Sequence, residues 1–331
     1  MNILVVGGAG YVGSHACRVL EAAGHTVWVY DNLSVGHRGA VRSEQLIVGE
    51  VADGDTLREV FRDRQIEAVM HFAAFALVGE SVAEPAKYYR NNVIATLELL
   101  DAMRDCDVRR FVFSSTTATY GEPDVIPIPE TTRQEPINPY GFTKLVIERA
   151  LADYAHAYGL GYAALRYFNA AGADPSGEIG EDHDPESHII PIVLQVALGQ
   201  RAHVSIFGDD YPTPDGTCIR DYVHVNDLGQ AHLQALERLQ DGKGICVNLG
   251  TGKGNSVRQI IDACRRVTGH AIPEVIGERR PGDPPELVAD ARLAQEVLDW
   301  QPQFTDIERI VETAWKWHQS HPRGYAASGP S

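Results

Sequence analysis

The sequence predicts an α/β protein built on a doubly wound parallel sheet, and two observations support that prediction. Short apolar, β-branched runs alternate with helix-forming stretches through the first half of the 331-residue chain, as the strands and helices of such a sheet do. The first run, residues 2–6, leads directly into the glycine-rich residues 7–13 and then into a helical pattern. That order places backbone N–H groups and a helix N-terminus where a pyrophosphate can bind.

The second predicted strand, residues 26–30, ends in Asp31. An acid at this point accepts hydrogen bonds from the adenosine ribose and repels a 2′-phosphate, so it favours NAD over NADP. The glycines fit two registers, Gly7/Gly10/Gly13 and Gly8/Gly10/Gly13, and either one permits the tight turn that precedes the first helix. Strand, glycine turn, helix, second strand and acid together predict an NAD-binding unit.

Further strands and helices continue the alternation, as a doubly wound sheet requires. The predicted strands are residues 45–48, 68–72, 110–113 and 163–168, and the predicted helices are residues 56–64 and 85–104. Ala73 and Ala74 follow one strand, where small residues let backbone lie against a cofactor. The hydroxyl-rich residues 114–121 follow another, and ligands bind beyond the carboxyl ends of such strands. A substrate hydroxyl can be held there, although a single Ser or Thr at this point more often caps a turn.

A helix is predicted to begin at Asn138, an N-cap residue, with Pro139 in its first turn. Tyr140 and Lys144 are four residues apart on this helix, so their side chains share one face. An ammonium beside a phenol lowers the pKa of the phenol, which predicts a general base near neutral pH. Many helices carry Tyr and Lys at this spacing by chance, so the prediction depends on the surrounding motifs.

Composition and charge indicate an ordinary globular protein and argue against two kinds of partner. The chain is 44% hydrophobic and 22% charged, which suffices for a large core. Its formal net charge of -16 disfavours nucleic acid and anionic membranes, because both would repel it. The five cysteines are scattered and odd in number, no apolar run approaches about 18 residues, and no signal peptide precedes the first strand. These features predict a cytoplasmic protein without a disulfide framework.

Three predictions concern the second half of the chain. Residues 181–188 contain Glu181, His183, Glu186 and His188, but their spacing matches neither a calcium loop nor a zinc motif, so no metal is predicted. Trp300, Trp315 and Trp317 are expected in the core. Residues 320–331, rich in Pro, Gly and Ser, are expected to form a loose tail.

Further motifs run along nearly the whole chain, from residue 2 to about Lys316. They occupy residues 7–13, 31–34, 71–74, 78–81, 89–93, 114–116, 139–144, 166–172, 206–211, 220–225 and 280–283. The earlier motifs resemble those of the extended short-chain dehydrogenases/reductases. The later ones narrow the resemblance to nucleotide-sugar epimerases, and the chain as a whole resembles the UDP-glucose 4-epimerases.

The resemblance implies interconversion of UDP-galactose and UDP-glucose by inversion at C4 through a transient 4-keto sugar. Tyr140 would take the proton of the sugar 4-hydroxyl, and Thr116 would hydrogen-bond the sugar O4. Lys144 would hold the nicotinamide ribose and, with the positive nicotinamide, keep Tyr140 ionised. Hydride would pass to NAD and return on the other face of the sugar, so NAD is expected to stay tightly bound.

The resemblance also assigns the cofactor contacts. They are Gly7, Gly10, Tyr11, Val12, Gly13, Asp31, Asn32, Ser34, Glu50, Val51, Phe72, Ala73, Ala74, Asn91, Ser114, Tyr140, Lys144 and Phe168. Glu50 departs from the Asp that is common at its position, and its longer arm leaves a contact with the adenine amino group in doubt. Ala76 stands where some relatives carry a Lys near the cofactor, so that contact is absent here.

The residues implied for the UDP-sugar lie mostly in the second half. They are Thr116, Asn169, His188, Ile189, Ser205, Phe207, Arg220, Tyr222, Arg280, Asp283 and Leu287. Guanidinium groups suit a diphosphate, an aromatic ring can stack on uracil, and a carboxylate can accept from ribose. Leu287 occupies the position thought to control entry of a 2-N-acetyl group, and its bulk favours the plain hexoses.

The resemblance further implies two domains and a dimer. An NAD-binding domain would comprise residues 1–172 plus about 217–247, and a nucleotide-sugar domain residues 173–216 plus 248–319. A homodimer would form through paired helices, residues 85–104 and 145–158.

Other functions are disfavoured to different degrees. A 4-epimerase acting on UDP-pentoses or UDP-N-acetylhexosamines stays open. Related dehydratases carry an Asp-Glu pair just after the Thr that matches Thr116, and decarboxylases a Glu at the second position, whereas this chain has Thr117 and Ala118. A non-catalytic NAD-sensing protein is least favoured, because Tyr140 and Lys144 are both retained.

Overall fold

The computed structural model describes residues 1–280 and 282–325, and these form three sheets with helices around them. The strands are β1 (Asn2–Val6), β2 (Thr26–Asp31), β3 (Leu46–Val48), β4 (Ala68–His71), β5 (Arg110–Thr116), β6 (Gly161–Tyr167), β7 (Asn169–Ala171), β8 (Val204–Phe207), β9 (Ile219–His224), β10 (Gly244–Leu249), β11 (Gly254–Ser256), β12 (Glu274–Gly277) and β13 (Glu286–Leu287).

The α-helices occupy both faces of the central sheet and the region beyond its carboxyl edge. They are α1 (Tyr11–Ala22), α2 (Gly54–Asp63), α3 (Val78–Ala83), α4 (Pro85–Tyr88), α5 (Ala95–Asp105), α6 (Pro139–Tyr158), α7 (Ile189–Ala197), α8 (Val225–Glu237), α9 (Val257–Thr268), α10 (Arg292–Leu298) and α11 (Ile307–Ser320). Within the residues described, no helix is both long and apolar enough to cross a membrane.

The central sheet confirms the predicted fold class. Its seven strands pair in the order β10-β6-β5-β4-β1-β2-β3, and every pairing is parallel. The chain moves outward from β1 through β2 to β3, then returns to β4 on the other side of β1. Strand order therefore reverses between β1 and β4, and in sheets of this kind ligands bind at that switch point.

Alternation along β1 explains why both faces of the sheet are covered. Ile3 and Val5 point into one apolar cluster, which includes residues of α1 and α8. Leu4 and Val6 point into another, which includes residues of α2, α5 and α6. Successive strand residues face opposite sides, so a run that is apolar throughout belongs in a sheet buried on both faces.

Two smaller sheets lie outside the central one. In the first, β9 pairs with β7 and β13 in parallel and with β11 antiparallel. In the second, β8 pairs with β12 in parallel. These strands come from distant parts of the sequence and are short, so the hydrophobic periodicity of the sequence did not predict them. The predicted division into two domains stays a prediction.

The helix predicted for residues 85–104 is interrupted. It consists of α4, a π-helical segment over Tyr89–Ile94, and α5. Asn92, in the π segment, is buried; its side chain accepts from the Phe75 N–H and donates to the Phe75 carbonyl, each at 3.0 Å. The buried amide thus fastens the loop after β4 to this helix.

The carboxyl-terminal expectations had mixed outcomes. Trp300, Trp315 and Trp317 are buried, as predicted. Ser320 ends α11, and the Tyr325 hydroxyl accepts from the Gly180 N–H at 3.0 Å while its ring stacks on His37. The loose tail was therefore wrong for residues 320–325, because composition does not reveal a distant packing site for one aromatic ring. Residues 326–331 lie outside the described residues.

A buried ion pair joins α6 to the central sheet. Arg166 of β6 donates to both carboxylate oxygens of Glu148 on α6, at 3.0 Å and 2.6 Å, and both side chains are almost fully buried. Ser115 of β5 donates to the same carboxylate at 2.5 Å, and Gln134 donates at 2.9 Å. The pair therefore fixes α6 against two neighbouring strands.

We expect Glu148→Gln to lower the free energy of unfolding by about 3 kcal/mol or more, because removing one member of a buried pair leaves the other charge uncompensated. Urea unfolding followed by circular dichroism measures the loss. Glu135→Gln is the matched control, since Glu135 and its partner Arg133 are exposed and such pairs contribute little. Equal stability of the two variants would show that Arg166 does not depend on Glu148.

Candidate active site

A large cleft of about 1460 Å³ opens at the carboxyl edge of the central sheet. Every residue predicted to contact the cofactor lines it, and so do Thr116, Tyr140 and Lys144. The predicted substrate residues that line it are Asn169, His188, Ile189, Arg220, Tyr222, Arg280, Asp283 and Leu287. The structure therefore brings together residues from nearly the whole chain, and their individual roles stay predictions.

Two predicted substrate residues do not line the cleft. Ser205 lies on β8, and Phe207 ends that strand with 40% of its surface exposed. The Arg280 guanidinium, which does line the cleft, lies 4.0 Å from the centre of the Phe207 ring. Phe207 is thus connected to the cleft through a cation–π contact.

The three glycines of the turn lack a side chain for two different physical reasons. A Cβ on Gly13 would lie 2.3 Å from the Gly7 carbonyl oxygen, and one on Gly7 would lie 2.4 Å from the Ala73 nitrogen. The fold itself therefore requires those two glycines. A Cβ on Gly10 would meet the protein no closer than 3.4 Å, so there the missing side chain leaves space in the cleft wall.

The first turn of α1 presents free donors to that space. Gly10 is the N-cap of α1 and no side chain caps the helix, while Tyr11, Val12 and Gly13 line the cleft. Uncapped N–H groups at a helix N-terminus favour an anion. The cleft wall at Gly10 therefore fits the pyrophosphate of a dinucleotide.

Asp31 is held ready to accept hydrogen bonds. The N–H groups of Ala9 and Leu33 donate to its two carboxylate oxygens, at 3.0 Å and 2.8 Å. Burial raises the pKa of Asp31, while these hydrogen bonds oppose the rise. Each oxygen keeps a further lone pair, which suits a pair of ribose hydroxyls.

Glu50 has a partner that sequence reasoning did not anticipate. The Asn32 amide donates to the Glu50 carboxylate at 3.1 Å, and the Asn32 side-chain oxygen in turn accepts from the Ser34 N–H at 3.0 Å. The longer arm of Glu50 therefore reaches a neighbouring cleft residue.

Helix α6 carries the predicted catalytic pair. Asn138 accepts from the Gly141 N–H at 2.9 Å and caps the helix, as predicted. Lys144 is buried, and its ammonium donates to the Ser114 carbonyl at 2.8 Å. Burial lowers the pKa of Lys144 to about 7, although Glu148 acts in the opposite direction.

The predicted lowering of the Tyr140 pKa was wrong for the protein alone. Burial raises the pKa of Tyr140, and the Thr116 hydroxyl opposes the rise without reversing it. Spacing along a helix shows that Lys144 shares a face with Tyr140, but it does not show that the ammonium is engaged by a carbonyl of β5. Helical spacing also contains no information about desolvation, which is the larger effect here.

The far side of the cleft carries the charged groups predicted for a diphosphate and a ribose. Arg220 of β9 forms an ion pair with Asp283, and both line the cleft. Leu287 on β13 pairs with Arg220 on β9. The Leu287 side chain therefore lies beside the predicted diphosphate site. Asn169 on β7 is likewise the register partner of Tyr222 on β9.

Sequence reasoning missed several residues of the cleft. Tyr167, at the end of β6, lines it, and its hydroxyl lies 2.5 Å from the Ser114 hydroxyl. Its position just before Phe168 and Asn169, both predicted contacts, was a usable signal. Glu181 and His183 also line the cleft, although the sequence was tested at these two residues only for a metal motif, which their spacing did not match.

Comparison with known proteins agrees with this geometry. A model of the NAD dependent epimerase/dehydratase family matches residues 3–250. A UDP-glucose 4-epimerase of Halalkalibacterium halodurans is 56% identical over 98% of this chain and 98% of its own.

Solved structures show the same similarity. The structure of UDP-glucose 4-epimerase from Brucella ovis in complex with NAD has a TM-score of 0.92 and 52% identity, covering 95% of this chain and 97% of that one. The enzyme from Bifidobacterium longum in complex with NAD+ and UDP has a TM-score of 0.93 and 37% identity, covering 98% and 100%. This chain therefore belongs to the NAD dependent epimerase/dehydratase family.

Proposed function

We propose that the protein interconverts UDP-galactose and UDP-glucose by inverting C4 of the sugar, with NAD as its cofactor. The observation that carries this function is the position of Thr116, Tyr140 and Lys144 in one continuous cleft. Dinucleotide-binding features lie on one side of these residues, and cationic and aromatic side chains lie on the other. The names of the relatives, UDP-glucose 4-epimerases, support the same substrates.

The residues present fit the cofactor. The space at Gly10 and the uncapped start of α1 suit the pyrophosphate, and Asp31 suits the adenosine ribose. Bound NAD would supply the redox chemistry, the transfer of a hydride from C4 and its return. The protein's own contribution is to bind, orient and exchange a proton.

Tyr140 accepts the proton of the 4-hydroxyl, and Thr116 hydrogen-bonds the sugar oxygen. Because burial raises the pKa of Tyr140, the phenolate requires positive charge nearby. Lys144, whose pKa is about 7, supplies part of that charge, and the oxidised nicotinamide supplies the rest. The same phenol then returns the proton to the oxygen when the inverted sugar is reduced.

A dehydratase is disfavoured by the cleft itself. Thr117 and Ala118 line it where related dehydratases carry carboxylates. Neither side chain can serve as the acid and base that elimination of water requires.

We also propose the domain division, the homodimer and the cytoplasmic location that the sequence predicts. Two apolar side chains of the first of the predicted paired helices, Tyr89 and Ile94, are exposed, and burial against a second copy would remove them from water. All five cysteines are free, which suits a reducing compartment.

The purified protein is expected to convert UDP-galactose to UDP-glucose without added NAD, because the cofactor is regenerated in each turnover and stays bound. Product formation is followed by chromatography of the nucleotide sugars. Activity that appears only after NAD is added would preserve the reaction but contradict tight retention. No product under either condition would contradict the proposed function.

We expect Tyr140→Phe to retain NAD but to lower kcat by at least about 100-fold, the range of a general acid–base. NAD released by heat denaturation is quantified for both proteins, and kcat is measured with UDP-galactose. Tyr158→Phe is the matched control, since Tyr158 lies at the other end of the same helix with 49% of its surface exposed. An unchanged kcat in Tyr140→Phe would remove this residue as the base.

Leu287 is expected to make the protein prefer UDP-galactose over UDP-N-acetylgalactosamine. Replacing it by Ser shortens a side chain in the cleft wall and should raise kcat/KM for the N-acetyl sugar by about 10-fold or more, the scale of a few apolar contacts in a pocket. Both substrates are assayed with both proteins. Equal use of the two sugars by the unmodified protein would contradict the proposed role of Leu287.

A further inference from the structure

Four side chains of the loop between β7 and α7 converge at the edge of the cleft. Glu181, His183, Glu186 and His188 each place one donor atom so that all four atoms lie within 4.8 Å of one another. Three of them line the cleft as well. Their positions in the sequence match no common metal motif, but an irregular loop brings them to one point.

The separations suit a small tetrahedral cation. His183 Nδ1 lies 3.2 Å from the Glu181 carboxylate and 3.7 Å from the Glu186 carboxylate. A zinc ion with bonds of about 2.0–2.1 Å has tetrahedral edges of about 3.4 Å. His188 Nδ1 also contacts the Glu181 carboxylate directly. Both separations from His183 are therefore near the spacing that a zinc ion requires, whereas His188 would move slightly away from Glu181 to bind the same ion.

Without a bound cation, the two carboxylates of the cluster have little positive charge to balance them. The carboxylates of Glu181 and Glu186 are only 4% and 3% exposed, and among the described residues their ion-pair partners are His183 and His188, with no Lys or Arg. Two buried carboxylates side by side are costly unless cations compensate them. Compensation must come from protons on the histidines or from a bound cation.

A third histidine adds an independent observation. His318 of α11 is 9% exposed, and its Nε2 is buried with no hydrogen-bond partner in the described part of the chain. Burial lowers the pKa of His318, while the charges of Glu181 and Glu186 oppose that shift. The preceding residue, Trp317, donates to the Glu181 carbonyl, so this unsatisfied imidazole nitrogen lies on a helix that packs against the loop.

We propose that Glu181, His183, Glu186 and His188 form a binding site for one divalent transition-metal ion, with Zn²⁺ the best match. Two imidazoles and two carboxylates are donors that zinc accepts in tetrahedral sites. Calcium and magnesium take oxygen ligands in sets of six or more, so this donor set disfavours them. Four protein ligands would close the coordination sphere, which is the arrangement of a structural zinc.

The bound ion would fasten a loop that touches several parts of the cleft. The His183 ring lies edge-on to Tyr11 at the start of α1, with centroids 6.0 Å apart. His188 is the N-cap of α7, and the Trp317 indole donates to the Glu181 carbonyl at 3.2 Å. The metal would thus tie the cofactor side of the cleft to its substrate side.

The experiment uses the protein with its bound NAD, stripped of metal by a chelator and then returned to metal-free buffer. Zn²⁺ is titrated by calorimetry, and retained zinc is measured by mass spectrometry after gel filtration. We expect retention of one zinc per chain and a rise of Tm with Zn²⁺, since a ligand that binds only the folded state stabilises it. Mg²⁺ should produce neither effect.

Two variants and one control make the result specific. His183→Ala and Glu186→Gln should lose the retained zinc and the Tm shift, whereas His203→Ala, an exposed histidine outside the cluster, should keep both. Glu186→Gln preserves an oxygen that can accept the N–H groups of Ser187 and His188, so its folding is protected. Absence of stoichiometric zinc, or equal retention by all proteins, would overturn the proposal and leave protonated histidines as the balancing charges.

Discussion

The buried carboxylate of Glu148 is the constraint on which the rest of the site depends. It accepts hydrogen bonds from Ser115 on β5 and from Arg166 on β6, so it fixes α6 relative to two central strands. Lys144 lies one turn earlier on the same helix and donates to the Ser114 carbonyl, next to the strand position that Glu148 holds. Moving α6 would therefore displace the proposed catalytic pair, Tyr140 and Lys144, from the strand that carries Thr116.

One end of the cleft is formed by residues close together in the sequence, and the other end by residues far apart. At the cofactor end, local sequence is sufficient, because one strand, one turn and one helix create the anion site, and Gly7 and Gly13 are required by the backbone itself. At the substrate end, Arg220 and Leu287 become neighbours only when β9 pairs with β13. The proposed substrate site depends on strand pairings between distant segments, so this site forms only with the complete fold.

This difference explains how much could be predicted from the sequence. Six of the seven central strands and the cofactor end followed from periodicity and glycine chemistry. The seventh strand, β10, and the two smaller sheets were not predicted, and the strands of those sheets have only two to six residues. No local sequence pattern predicts the contact of Tyr325 with Gly180 or that of Glu181 with His188. Contacts that depend on loop geometry cannot be seen in spacing along the chain.

The spacing of Tyr140 and Lys144 along the helix also led to a wrong prediction of the pKa of Tyr140. Residues four apart on a helix share a face, but the phenol responds first to burial, which raises its pKa. Lys144, with a pKa of about 7, carries only part of a positive charge near neutrality. In the protein alone, burial therefore favours the protonated phenol. In the proposed mechanism, the positive charge of the oxidised cofactor would favour the phenolate, which would link proton abstraction to the state that can also accept the hydride.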